Sequence, residues 1–413
     1  MDFVRGTRGR VRRGAALLVA FAVGMVGGGI LGLLAQGQPK EVLPAVSPPP
    51  GVLAASAGQP TVRPAVPATL LAWTPGGLPP GFARGAAALP QVKHLVAVVS
   101  GTAWLTRSFA ADGTIVDRPP AGLGIPLEVA GADLSSYASF LAPADRSVLP
   151  RLAAGEAALG TTSARLRHLG PGGKLLFGST ALTVAGILPD ASIGANEVFV
   201  SRATAARLGV KVERYILIEP AGGASRSQFT PRLRALLPAG TQIRIRGPGE
   251  TPYFRQGDAV LPPVQMKVLF GEFAAKPNAH GFLRIDPAWV ASHITVAEVP
   301  LLGRVQCNRA LIPQLAGALS ELEREGLGSL VHPSDYGGCY SARFISENPL
   351  IGISHHAWGA AIDINVSTNR FGRTPHQDPR LVQIFEQWGF TWGGDWLIPD
   401  GMHFEFVRFA AGP

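Results

Sequence analysis

The chain has 413 residues, 46% of them hydrophobic and 16% charged, which excludes a disordered polyelectrolyte and provides apolar material for one or two buried cores. Its 51 glycines and 36 prolines follow no strict period, so a collagen-like rod is excluded as well. The net charge of +9 invites a nucleic-acid partner, but the first 40 residues carry six basic side chains against Asp2, a balance of +5 that leaves only +4 for the rest. The basic character is therefore a targeting feature, and no nucleic acid is expected.

Five arginines between Arg5 and Arg13 precede an uncharged run from Gly14 to Gln38. The segment 15–36 is long enough to cross a bilayer as a helix rising about 1.5 Å per residue. Arginines on its N-terminal side assign residues 1–14 to the cytoplasm. A cleavable signal peptide has the same basic-then-apolar layout. An uncleaved anchor predicts a single-pass protein of the cell membrane with its C-terminal domains outside the cytoplasm, and cleavage predicts a secreted one. Residues 37–85 are dominated by Pro, Ala, Gly, Val and Ser, with "SPPPG" at Ser47–Gly51. They read as an extended, semi-rigid linker. Cys307 and Cys339, 32 apart in an exported chain, are expected to form a disulfide, the alternative being two buried free thiols. Closing a loop of that size stabilises the fold by about 3 kcal/mol.

Residues 90–250 read as a mixed α/β unit. The runs "VKHLVAVVSGTAWL" from Val92, "ALTVAGILP" from Ala181 and "VERYILIEP" from Val212 are strand-like. "NEVFVSRATAARLGV" reads as a strand followed by a helix ending near Gly209, and "SRSQFTPRLRALLP" as a further helix. The stretch from Gly173 to Val210, within residues of about 160–210, resembles the extracytoplasmic domains of ABC-exporter permeases of the macrolide-exporter type. That resemblance rests on pattern and carries no reactive motif. His94 and His168 stand apart from other ligand types and read as surface or structural residues. No phosphate-binding loop, nucleophile elbow or internal repeat is present.

The chemistry lies after residue 300. In "NRALIPQLAGALSELEREG", Leu311, Leu315, Leu319 and Leu322 share one helical face that stops at Gly326. In "QDPRLVQIFEQWGF", Asp378 can cap a helix, Pro379 can take its first position and Gly389 can end it. "FTWGGDW" and "MHFEFVRF" then read as strands. Between the helices, "ISHHAWGAAIDIN" holds His356 and Asp363, and forty residues after Asp363 comes His403 in "PDGMHFEF". Two imidazoles and a carboxylate are a donor set that zinc accepts, with a fourth position left for water or substrate. Asp400, three before His403, places a carboxylate beside the metal that can take a proton from the attacking water and return it to the leaving amine. His355 is a rival ligand, although the spacing to Gly359 favours His356. Trp392, with Trp396, is a candidate cleft wall, a plain core or strand-packing role being the alternative. Glu405 alternates with His403 along a strand and can orient a ligand. His332 and His376 read as loop residues.

At these residues the chain resembles the zinc D-alanyl-D-alanine carboxypeptidase and L-alanyl-D-glutamate endopeptidase family, which includes the vancomycin-resistance D,D-peptidases and several phage endolysins. The family's S-x-H-x-x-G-x-A-x-D falls on Ser354 to Asp363 and its acid-x-x-His on Asp400 to His403, within a match over about 295–410. The resemblance implies zinc held by His356, Asp363 and His403, Asp400 as catalytic base, and Ser354 beside the metal. It also implies an upstream arginine facing substrate, a position that Arg343 fills. Asp in place of Glu at the base position is closer to the endopeptidase branch. The expected fold class is α+β: a C-terminal D,D-peptidase-like zinc domain at 290–413, preceded by a mixed α/β extracytoplasmic domain, the linker and an N-terminal transmembrane helix. The expected partners are peptidoglycan stem peptides, the membrane, and a possible protein bound by residues 90–250. An alternative is a cell-wall binding or assembly protein acting through its middle domain, with a weakly active or inactive peptidase domain.

Overall fold

Runs of Val, Leu, Ile and Ala in the first half of the chain build one large sheet. A computed structural model describes residues 69–247, 250 and 254–410; the predicted anchor at 15–36 and most of the linker lie outside them. The strands are β1 (Leu70–Trp73), β2 (Val92–Leu105), β3 (Arg107–Phe109), β4 (Ile125–Ala132), β5 (Ala157–Gly160), β6 (Lys174–Phe177), β7 (Thr180–Leu188), β8 (Val198–Ser201), β9 (Glu213–Pro220) and β10 (Arg244–Arg246). They pair in the order β10-β1-β9-β2-β4-β8-β5-β7-β6-β3. Only β4–β8 and β5–β7 run parallel. Side chains alternate across a strand, and here both faces are covered. Val129, Val198 and Val200 enter one core, while Ala130, Ala132 and Phe199 enter another on the opposite face.

The linker expected over 37–85 stops short. Leu70–Trp73 is an interior strand, pairing with β9 on one edge and β10 on the other, and Phe82–Ala87 is helical. A four-residue strand buried on both faces has no alternation to betray it, which is why its neighbouring prolines and glycines hid it. The strand-then-helix expected from "NEVFVSRATAARLGV" is present as β8 and the helix Arg202–Arg207. The helix expected from "SRSQFTPRLRALLP" is Arg226–Ala235, opened by a reciprocal capping box between Ser225 and Gln228.

The C-terminal elements are smaller. They comprise β11 (Ala275–Pro277), β12 (Leu283–Ile285), β13 (Ile294–Val299), β14 (Gly303–Asn308), β15 (Ala361–Asp363), β16 (Phe390–Trp392) and β17 (His403–Phe406). Helices Ile312–Arg324 and Pro379–Gln387 pack on these strands, burying Leu315, Leu319 and Leu322 from one and Leu381, Ile384 and Phe385 from the other. Asp378 caps the second helix by accepting from the Arg380 N–H at 2.8 Å. The C-terminal core runs from Leu261 to Phe406, so it begins well before residue 290 and recruits the helix Pro263–Phe270.

That helix is also the joint. With the sheet, the C-terminal elements form one compact unit. Lys267 donates to both carboxylate oxygens of Glu197 at 2.9 Å and lies 3.1 Å from Glu272. Arg167, fully buried at the end of the helix Thr161–Arg167, pairs with Glu272, with Asp117 at 3.3 Å and with Glu197 at 3.4 Å. Among the described residues no helix is long and apolar enough to cross a membrane.

Candidate metal centre

His356 is carried by a single 3-10 turn, His355–Trp358, whose first residues are fixed by the Ser354 hydroxyl accepting from the His356 N–H at 3.3 Å. The turn ends at Gly359 with φ +65°, where a Cβ would stand 2.5 Å from the Asn308 backbone nitrogen. Only glycine fits both the left-handed backbone and that approach. The chain then enters β15, which pairs antiparallel with β17 so that Asp363 stands directly opposite His403. This register brings together residues forty apart in sequence. It also puts Glu405, two residues along β17, on the same face as His403.

Three donor atoms converge. His356 Nε2 lies 3.2 Å from His403 Nδ1 and 3.2 Å from Asp363 Oδ2, and His403 Nδ1 lies 3.0 Å from Asp363 Oδ1. A tetrahedral ion with bonds of about 2.0–2.1 Å separates its ligands by about 3.3 Å, so two imidazole nitrogens and the Asp363 carboxylate at these separations fit zinc. Among the described residues it is the one His/Cys/Asp/Glu group arranged to hold a metal ion. All three side chains are buried. Burial alone would raise the Asp363 carboxyl, but His356 and His403 outweigh it and hold the acid well below its usual range. For His403, burial acts downward, yet hydrogen bonds and charge from Asp363 and Glu405 raise the imidazole to about 10.

The outer contacts orient both rings. His356 Nδ1 stands 2.7 Å from the Cys339 carbonyl oxygen, which accepts its proton and turns Nε2 toward the centre. Cys339 is disulfide-bonded to Cys307 on β14, with their Cα atoms 5.3 Å apart. His403 Nε2 faces Glu405 Oε2 at 3.5 Å, leaving Nδ1 for the centre. His355, the rival ligand, points away and pairs with the same carboxylate oxygen at 2.8 Å.

Asp400 stands beside the three donors, and its Oδ1 is buried with no hydrogen-bond partner among the described residues. Burial raises its pKa, opposed in part by His403, His356 and Arg343. The turn that delivers it is cramped: Asp400 N–H donates to the Gly393 carbonyl at 2.8 Å, and a Cβ on Gly393 would stand 2.7 Å from the Asp400 carbonyl oxygen. Arg343 pairs through its backbone with Phe282, and its charge acts on Asp400. Its guanidinium makes no hydrogen bond or ion pair among the described residues.

The two tryptophans take different roles. Trp392 donates its indole N–H to the Gly401 carbonyl at 2.7 Å and packs on the core, so it shapes the turn. Trp396 is the indole that meets the centre, 5.1 Å from the His403 ring. The strand expected over "FTWGGDW" covers only Phe390–Trp392, because the two glycines form a 3-10 turn, Gly393–Asp395. Sequence reasoning missed Tyr336. Its hydroxyl is buried without a partner among the described residues, and burial together with the Asp363 charge raises it to about 12, which keeps it protonated. No motif marks that tyrosine. His332 and His376 are exposed and are not among the converging donors, and the same holds for His94 and His168.

Two solved structures are similar to the chain over somewhat less than half its length. One is the periplasmic region of MacB from Actinobacillus actinomycetemcomitans, at 11% identity and TM-score 0.31, covering 46% of this chain and 92% of that one. The other is the extracellular domain of the noncanonic ABC-type transporter YknZ from Gram-positive bacteria, at 14% identity and TM-score 0.28, covering 43% of this chain and 100% of that one. Both are of the class that residues 160–210 resemble, and at these scores the likeness carries no argument about fold or function. No curated protein matches the sequence. Residues 350–406, which contain all three donors and Asp400, match the D-alanyl-D-alanine carboxypeptidase family.

Proposed function

We propose that the chain is an exported, membrane-tethered zinc peptidase that hydrolyses peptide bonds in peptidoglycan stem peptides, as a D,D-carboxypeptidase or an endopeptidase. The observation that carries this reading is the convergence of His356 Nε2, Asp363 and His403 Nδ1 beside the orphaned Oδ1 of Asp400. Zinc held there would polarise the scissile carbonyl and make water a better nucleophile near neutral pH.

Asp400 is suited to take the proton of the attacking water on Oδ1 and to deliver it to the leaving amine. Its raised pKa brings it toward the range in which a carboxylate both accepts and returns a proton. The Arg343 fork is suited to receive the oxygen on which negative charge develops, or the terminal carboxylate of a carboxypeptidase substrate. Glu405 and the Cys339 carbonyl hold the two imidazoles in the orientation the metal needs. Trp396 walls the site and limits water on that side. No serine or cysteine nucleophile would be needed, because a zinc-activated water could attack the carbonyl directly.

The test is to incubate residues 41–413, loaded with zinc, with defined muropeptides and to read the products by mass spectrometry beside Asp400→Asn. Loss of a terminal D-alanine identifies a carboxypeptidase and an internal cut an endopeptidase, and removing the base is expected to cost about 10²–10⁴ in rate. No product from any stem peptide, with zinc bound, would contradict the proposal.

A further inference from the structure

The chain between the sheet and the catalytic elements, residues 254–261, is fastened on both sides. Toward the sheet, Arg255 makes a bidentate pair with Glu128 of β4 at 2.6 and 2.8 Å, and Gln256 donates to the Ser100 hydroxyl of β2 at 3.1 Å. Asp258 pairs with both arginines of β10, Arg244 and Arg246, the latter at 2.8 Å. Toward the catalytic elements, the other oxygen of Asp258 accepts from the Leu397 N–H at 2.8 Å, and Leu397 itself packs against a core of the sheet. Two residues on, the Val260 N–H donates to Glu405 Oε1 at 3.0 Å.

Glu405 is almost completely buried and is the carboxylate behind His403. With Oε1 tied to the Val260 N–H, its plane is set and Oε2 turns toward the imidazoles of His355 and His403. Asp258 thus stands at a junction: one oxygen on the sheet's edge arginines, the other on the loop that carries Trp396, with Val260 beside it on Glu405.

We propose that Asp258 is a positioning residue for the metal centre, fixing the segment that orients Glu405 and thereby presenting His403 Nδ1, so that the sheet takes part in holding the metal. The proposal rests on the reading of His356, Asp363 and His403 as metal ligands. Partners behind a ligating histidine typically change metal affinity 10–100-fold when removed.

The test uses the full chain with zinc and with cobalt(II), comparing the wild type with Asp258→Ala, Asp258→Asn and Arg244→Gln. Zinc affinity is read by competition with a chromophoric chelator, and site geometry by the ligand-field absorption of the cobalt form. Asp258→Ala is expected to weaken zinc binding about tenfold or more and to alter the cobalt spectrum. Asp258→Asn, whose single amide oxygen can serve the Leu397 N–H or the two arginines but not both, is expected to recover the spectrum and affinity only in part, falling between Asp258→Ala and the wild type. Arg244→Gln, which frees one half-buried arm from Asp258, is expected to show a smaller loss in the same direction and keeps the test decisive if Asp258→Ala does not fold. Wild-type affinity and spectrum in every folded variant would overturn the proposal, even with lowered thermal stability. A wild type that binds neither metal would instead overturn the metal-centre reading itself.

Discussion

Two clusters of buried charge lie in this chain, and they differ in what they leave unsatisfied. At the joint between the sheet and the C-terminal elements, Arg167 and Lys267 are enclosed by Glu197, Glu272 and Asp117, and the opposite charges are paired; the one atom left over there among the described residues is a donor, Arg167 Nε. At the candidate metal centre, three donor atoms face one another, and an acceptor of a fourth residue, Asp400 Oδ1, is buried with no hydrogen-bond partner among the described residues. Burial and charge are common to both, so neither marks a site. The distinguishing feature is convergence of metal-type donors around a point, with an acceptor left over. The first cluster reads as a latch and the second as a centre for chemistry.

That contrast can be broken by exchanging the assays. Glu197→Gln strips one partner from both buried cations, which typically costs about 3–5 kcal/mol. Chemical denaturation should register that loss while zinc affinity stays at the wild-type value; a matching loss of zinc would merge the two clusters into one functional unit. A smaller effect is expected for Cys307→Ser with Cys339→Ser. Opening a 32-residue separation costs about 3 kcal/mol in the unfolded-chain account. Because the Cys339 carbonyl also orients His356, zinc affinity should fall with stability here, unlike in the latch variant. Calorimetry and chelator competition on the same sample would expose a variant in which only one of the two moves.

The smallest effect is pH-dependent. Burial raises the Glu272 carboxyl, but Lys267 and Arg167 outweigh it, so its folded pKa lies below the ordinary 4.5. A depressed acid stabilises the fold above its unfolded pKa and loses that contribution as pH falls through the folded value. Glu272→Gln should therefore be less stable than wild type at neutral pH, and the difference should shrink as the pH drops below about 4.5. A difference that is constant across that window would remove the charge pairing from the explanation.

The sequence showed unequal parts of this architecture. The β2 run and the helix Ile312–Arg324 were legible because long elements repeat their period many times. Leu70–Trp73 was not, since four buried residues show no alternation. Residues 261–289 fell between the expected domains because their helix and short strands join a core whose partners lie as far away as Phe406. At the site, residue types and spacing singled out His356, Asp363 and His403, yet the register opposing Asp363 to His403 is a long-range pairing that no local pattern encodes. Trp392 and Trp396 stand on either side of the same glycine pair, and only the turn that those glycines form decides which indole reaches His403. Asp258 and Val260 left no signal, because one acts through a side-chain clasp and the other through its backbone N–H.

The most direct test of the central claim is the number of zinc ions bound per chain after metal loading and removal of excess, measured by elemental analysis. The account predicts one zinc in the wild type and in Glu272→Gln, and none in Asp363→Ala. Zinc absent from the wild type, or retained at full stoichiometry in Asp363→Ala, would contradict it.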